Sequence, residues 1–206
     1  MSTPTRTGGR RAGRREEDAR ATRDALVRSA LELFTKRGYA GVGTEEIVTR
    51  AEVTRGALYH HFEDKRDLFR AVLERVEAEL MERIGARMDA VDDPWKLMLT
   101  GMRSFLDACD QPAVKQIALT DAPSVLGWQE WRQIDNRYGL GLTRAALQGA
   151  VDAGVLRPIA VEPMAHLLVA ALSEAAFVIA YADHPRKARA EIERALIELI
   201  EGLRAG

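Results

Sequence analysis

Arg55, Gly56 and Ala57 sit in the stretch TEEIVTRAEVTRGALYHHFEDK, Thr44 to Lys65, and their chemistry is that of recognition rather than bond-making. An arginine at the start of an exposed helix either forks onto guanine O6 and N7, for about 1–3 kcal/mol of base discrimination, or binds phosphate without reading sequence. Gly56 costs roughly 1 kcal/mol relative to alanine inside a helix, and close approach of its backbone to DNA would explain it. Ala57 either touches a thymine methyl or packs. Thr44 and Thr54 each bring a hydroxyl to a helix N-terminus, where free N–H groups bind phosphate. Capping alone explains both threonines, and the two roles are compatible.

The elements that must hold these groups are legible in the spacing. Thr44 is expected to cap a short helix carrying Ile47, Val48 and Ala51 on one side, Glu52 to Thr54 to make a turn, and Thr54 to cap a second helix. Leu58 and Phe62 are four residues apart and share one face, which leaves Arg55, Gly56, Tyr59 and His60 facing outward. This is a helix-turn-helix pattern, the geometry that delivers a row of side chains to the floor of a DNA groove. Upstream, Leu26, Ala30, Leu33 and Phe34 recur at helical steps from Ala21, and Gly38 after Lys36-Arg37 is a helix stop. Tyr39, Val42, Ile47, Val53, Leu58, Phe62 and Leu68 complete a small core. Asp64 is placed to cap a long helix carrying Phe69, Leu73, Val76, Leu80 and Ile84.

The run ALVRSALELFTKRG (Ala25–Gly38), then Tyr39 and Val42, then G-x-L-Y-x-H-F followed by Lys65 and the run to Phe69, resembles the DNA-binding segment of the TetR family of bacterial transcriptional regulators. The likeness covers about a quarter of the chain and is more specific than an isolated helix-turn-helix. It implies an all-α protein with a three-helix DNA-binding domain followed by a larger helical ligand-binding and dimerisation domain. Tyr59, His60 and Lys65 resemble the family's phosphate clamps, although Tyr59 beside Phe62 also suits a half-buried core site. His61 is placed with the same set. His60 and His61 look like a metal pair, but neighbours on a helix point about 100° apart and do not readily chelate one ion, so no metal and no cofactor is assigned.

Charge is sorted along the chain. Residues 1–70 hold 15 basic and 11 acidic groups, a balance of +4, while residues 71–206 hold 15 and 20, a balance of −5. That asymmetry would orient the molecule on a polyphosphate, and ordinary fluctuation explains it as well. Met1 to Arg15 carries five arginines and no acid, reads as a disordered tail, and either follows the DNA backbone into the minor groove or is simply solvated. The expected organisation is a flexible basic tail over 1–19, a DNA-binding domain over 20–66 and the helical second domain over 67–206. A single cysteine, Cys109, excludes an internal disulfide, and no export signal or uncharged apolar run of 18 residues is present, so a cytoplasmic protein with no membrane partner is expected.

Beyond residue 90, breaks at Asp92-Asp93-Pro94, Asp110-Gln111-Pro112, Ala122-Pro123, Pro158 with Pro163, and His184-Pro185 separate helices. Methionine and aromatic surface at Met102, Phe105, Trp128, Trp131 and Phe177 suits an adaptable apolar pocket or an ordinary core, and His166 and Glu174 are polar groups placed to orient a ligand. The helix from Met164 to Tyr181 is apolar nearly all round, and the last helix has a continuous stripe. Both resemble the family pair that forms a four-helix dimer interface, which implies Leu168, Ala171, Leu172, Ala175, Ile192, Leu196, Leu199 and Ile200 as its residues; packing within one chain is the other reading.

An enzyme finds little support: HExxH, P-loop and nucleophile-elbow motifs are absent, and Cys109 has no matched histidine. A DNA-packaging protein would bind random and palindromic DNA alike. The sequence therefore points to a homodimeric regulator that reads a palindromic operator in double-stranded DNA, a repressor released by a small apolar or amphipathic effector.

Overall fold

The computed structural model describes the backbone of residues 7–205 and the side chains of residues 13–205. Among these residues the protein is all-α: α1 (Thr7–Arg37), α2 (Thr44–Arg50), α3 (Arg55–His61), α4 (Lys65–Met88), α5 (Pro94–Ala108), a π-helical segment (Val114–Asp121), α6 (Ala122–Val125), α7 (Trp128–Asp152), α8 (Val161–Ala180) and α9 (Pro185–Glu201). The chain divides into two compact units, residues 1–72 and 73–206, so the division falls inside α4 rather than at its start.

The first unit closes around one apolar cluster. Leu26, Ala30 and Phe34 of α1 are fully buried with Ile47 of α2, Leu58 of α3, and Leu68, Phe69 and Val72 of α4. Phe34, Tyr39 and Phe69 form a triangle of rings with centroids 5.1–5.6 Å apart, each pair contributing about 0.5–1.5 kcal/mol beyond its buried area. Gly38 ends α1 in the left-handed region at φ 70°, its N–H donating to Phe34 O at 2.8 Å. Asp64 starts α4: its Oδ1 accepts from Asp67 N at 2.7 Å while Asp67 Oδ2 accepts from Glu63 N at 3.2 Å, a reciprocal cap. Exposed ion pairs Arg37–Glu46 and Arg50–Glu32 tie α1 to α2, each worth at most about 1 kcal/mol.

The start of α1 differs from the expectation of a disordered segment to Arg15, a flexible tail to residue 19 and helix from Ala21. Helix is continuous from Thr7. Once Leu26 and Ala30 anchor a helix in the core, extending it toward the N-terminus requires no new nucleus, and Arg14–Asp18 and Glu16–Arg20 place opposite charges four residues apart. Residues 1–6 of that tail lie outside the described residues.

In the second unit Asp93 caps α5, its Oδ1 accepting from Lys96 N at 2.8 Å with Pro94 at the first helical position. The core joins Met98, Met102 and Leu106 of α5, Leu147 and Ala150 of α7, Ala165, Leu168, Ala175 and Ile179 of α8, and Leu196 and Ile200 of α9. Arg157 N donates to Leu203 O and Ala205 N to Val155 O, at 3.0 and 3.1 Å, which clasps the chain end against the loop after α7. Helix α8 has the length and hydropathy of a membrane span, a mean of 1.7, but carries Glu162, His166 and Glu174 and buries Ala165, Leu168, Val169, Ser173 and Ala176 in this unit.

Candidate functional site

The corner between α2 and α3 is built by hydrogen bonds at the end of α2. Val53 N donates to Val48 O at 3.0 Å and Glu52 N to Thr49 O at 3.2 Å, the paired bonds of a Schellman ending. That ending requires a left-handed residue, and here it is Glu52 at φ 57°, the one non-glycine with positive φ among the described residues. Val53 follows it half-buried, the apolar residue that such endings commonly carry at this position. Thr54 then caps α3, its Oγ1 accepting from Ala57 N at 3.2 Å. Thr44 does not cap α2: Gly43 occupies that place with extended backbone, no side chain closes the cap, and Thr44 is the first helical residue. The threonine was a strong capping signal by type, but the helix starts at its own residue, so the hydroxyl lies one position too far along.

On α3, Leu58 and Phe62 point inward, fully and almost fully buried, and Arg23 lies over the Phe62 ring at 5.1 Å. Arg55, Gly56 and His60 are exposed, Ala57 is half-buried, and Tyr59 is 46% exposed, which sets aside the reading of Tyr59 as core. A Cβ on Gly56 would meet only Thr54 Oγ1, at 3.8 Å, so nothing inside the protein demands a glycine there. The Arg55 guanidinium is held by Glu45 of α2 at 2.8 Å and lies over the Tyr59 ring at 5.6 Å. Glu45 escaped the sequence reading because only the fold brings α2 to α3, and an exposed pair of this kind is weak enough to yield to a guanine edge or a phosphate.

His61 differs from its neighbour. It is half-buried, its ring meets His60 edge-on at 5.2 Å, and burial, then His60 and Arg23, push its pKa down, so its imidazole is neutral at physiological pH. Lys65 also differs from a phosphate clamp. Its ammonium donates to Tyr39 O at 2.6 Å and lies 4.0 Å from the Tyr39 ring centroid, which makes it an internal strap across the corner between α1 and α4. Its place at a helix start suggested the clamp; the loop that Gly38 creates supplied the competing acceptor.

The second unit holds a partly open cavity of about 100 Å³. Met102 and Phe105 line it, as their spacing suggested, with Met81, Met88 and Met98. The other pocket expectations fail. His166 is half-exposed beside Glu162 at 3.7 Å, and Glu174 is exposed, because both sit on the outer face of α8. Trp128, Trp131 and Phe177 form a separate aromatic cluster with Tyr181, with centroids 4.8 to 6.5 Å apart, and Trp131 Nε1 donates to Ala118 O at 3.0 Å. The polar groups that line it are instead Glu77 of α4, Asp135 and Thr143 of α7 and Ser173 of α8. Glu77 was readable: it falls on the same face as Leu73, Leu80 and Ile84, an acid interrupting an apolar stripe.

The dimer expectations also divide. Leu168, Leu172, Leu196 and Ile200 line the cavity and Ala175 is buried, so these residues are spent within the chain. An apolar stripe identifies a buried face without saying what buries it, and α8 carries two such faces. Ala171 and Ile192 are half-buried, whereas Leu199 is exposed with Leu167, Val178 and Tyr181. Among the described residues no group of three His, Cys, Asp or Glu is arranged to hold a metal, and Cys109 is buried, with its thiol pushed up to about 12 by burial and Asp110.

A capped helix-turn-helix with an outward basic row, followed by a helical unit around a cavity, defines a DNA-binding regulator. Residues 26–72 match the family model described as bacterial regulatory proteins, tetR family, and residues 95–203 match that of the tetracyclin repressor-like C-terminal domain. The chain is 27% identical over 153 residues to the transposon Tn10 TetC protein of Escherichia coli, covering 74% of this chain and 77% of that one. It is 34% identical over 100 residues to the HTH-type transcriptional activator FasR of Mycolicibacterium smegmatis, covering 48% and 45%. The crystal structure of a TetR-family transcriptional regulator from Pectobacterium atrosepticum superposes with a TM-score of 0.83 at 32% identity, covering 92% and 97%. The chain belongs to the TetR family: it is a DNA-binding transcriptional regulator, not an enzyme. Members of this family bind operators and typically act as homodimers that respond to small molecules.

Proposed function

We propose that this regulator is a homodimeric repressor that reads a palindromic operator with Arg55, Gly56, Ala57, Tyr59 and His60, and that a small apolar or amphipathic ligand in the second-unit cavity releases it. The observation that carries the reading is α3 itself, with Leu58 and Phe62 buried on one side and Arg55, Gly56, Tyr59 and His60 exposed on the other. Thr44, at the N-terminus of α2, and Thr54, at that of α3, hold phosphates that set the register. One recognition helix spans few base pairs, so two heads about 34 Å apart on a symmetric dimer supply the specificity that one lacks.

The dimer forms on the outer faces of α8 and α9. Leu167, Ala171, Val178 and Tyr181 recur at steps of three, four or seven along α8, and Leu199 extends the apolar face on α9. About three turns of α4 line the cavity through Glu77, Met81, Ile84 and Met88, and the same helix begins at Lys65, soon after the recognition helix. A ligand that binds one tilt of α4 more tightly than another shifts the spacing of the two heads. Acting on DNA, the protein works in the cytoplasm.

Selection of bound sequences from random DNA tests the reading, followed by titration of the selected duplex in the presence of ligands found to bind the protein. A two-fold symmetric site whose affinity falls when the cavity fills supports it. Equal affinity for selected and random duplexes, or a site indifferent to every bound ligand, refutes it.

A further inference from the structure

The cavity has apolar, adaptable walls and acidic polar groups. Met81, Met88, Met98 and Met102 supply flexible, polarisable surface. Glu77 is 6% exposed, lines the space, and receives a hydrogen bond from no described group. Asp135 also lines it but is satisfied: Arg132 Nη1 donates to its Oδ2 at 2.9 Å, and Ser173 Oγ lies 2.9 Å from the same oxygen. The Arg132 guanidinium is engaged by Asp135, and Glu77 has no counter-ion among the described residues. A buried carboxyl with no partner costs several kcal/mol as an ion, and a leucine would complete the packing of α4 at lower cost.

Resting on the reading that this cavity receives the effector, we infer that the effector is a cationic amphiphile, an organic ammonium whose apolar body packs against the methionines and whose charge pairs with Glu77. An anionic ligand would keep Glu77 protonated and meet the Asp135 carboxylate with like charge. A neutral hydrocarbon would leave the carboxyl as unpartnered as it stands.

The inference has a pH signature. Burial, then the charge of Asp135, pushes the Glu77 carboxyl up to about 8, so the empty cavity holds it protonated at neutral pH. The titratable groups coupled to it are Asp135 and Tyr138 on α7, with Arg132 on Asp135 and Glu74 and Arg137 beside Tyr138; α8 presents the Ser173 hydroxyl, on Asp135. A permanent cation expels the proton from Glu77 as it binds. Its apparent affinity therefore falls about tenfold for each pH unit below 8 and levels off above it.

Calorimetric titration of the full-length protein with benzyl-, hexyl- and octyltrimethylammonium below any micellar concentration tests this, with neopentylbenzene as the uncharged isostere of the first. At least one cation is expected to bind at pH 8, to bind about tenfold more weakly at pH 6 than at pH 7, and to release close to one proton at pH 7 in buffers of differing ionisation heat. Glu77→Gln, nearly isosteric, is expected to weaken that cation more than tenfold and leave neopentylbenzene within twofold. Absence of binding by all three cations, binding without proton release, or equal affinity in Glu77→Gln overturns the inference. Release of DNA by neopentylbenzene but by none of the cations overturns the charge assignment and leaves the effector reading intact. Cation binding that never alters DNA affinity overturns the effector reading and leaves the cavity chemistry intact.

Discussion

Replacing Glu52 with glycine should stabilise the protein although it removes a side chain. Glu52 sits at φ 57° at the end of α2, where the Schellman bonds from Val53 N and Glu52 N require a left-handed residue. An L-residue pays about 1–2 kcal/mol for that conformation. Glycine avoids the penalty but returns about 0.4–1 kcal/mol through the greater freedom of its unfolded chain. The net gain is about 0.5–1 kcal/mol, roughly 1–4 °C in Tm for a chain of this size. Glu52 is exposed and its side chain makes no hydrogen bond or ion pair among the described residues, so no contact is lost. Glu52→Ala separates backbone from charge: it removes the same carboxylate, keeps a Cβ, and should melt within about 1 °C of the parent. Thermal and urea denaturation of the three proteins at one concentration decide the matter. Equal stability of Glu52→Gly and Glu52→Ala, or a less stable glycine variant, refutes the account of this turn.

Two further outcomes follow from the second unit. The Glu77 carboxyl holds its proton far more tightly folded than unfolded, where its pKa is 4.5, so its contribution is fully present below pH 4.5 and is lost as pH rises through about 8. Glu77→Gln does not titrate; its advantage over the parent should therefore grow from near zero at pH 4.5 to about 3 kcal/mol at pH 7, read from urea denaturation across pH, and a pH-independent difference would contradict it. Leu199→Asp places a charge on the exposed apolar face of α9 without touching the buried core, so sedimentation should show a folded monomer with much weaker operator binding. A variant that stays dimeric removes α9 from the interface.

Local chemistry explains what could be read before the fold was known. The Leu58–Phe62 spacing, Gly38 as a helix stop, the Asp64 cap and the Thr54 cap are all decided within a turn of the chain, and each is found where residue type and spacing put it. Apart from the Thr44 cap, what failed depends on partners far away in sequence. Lys65 found Tyr39 O across 26 residues. On α8, periodicity marks an apolar helix but not which flank faces the cavity: Leu168 and Leu172 line it, while Leu167 and Val178 are exposed. The tryptophans misled by size: Trp128 and Trp131 carry large apolar area, yet an aromatic cluster on Phe177 absorbs it. Glu77 was the available clue to the cavity, an acid on a stripe of leucines.

The central claim is that two copies of α3 read bases through Arg55. Parallel selections from random DNA with the parent protein and Arg55→Ala test it most directly. The parent should enrich a palindrome whose half-sites lie about one helical turn apart, and Arg55→Ala should lose preference at one position in each half, a guanine by the fork geometry, with about 1–3 kcal/mol less discrimination there. Identical base preferences for the two proteins, or enrichment of no symmetric site by the parent, would contradict the account.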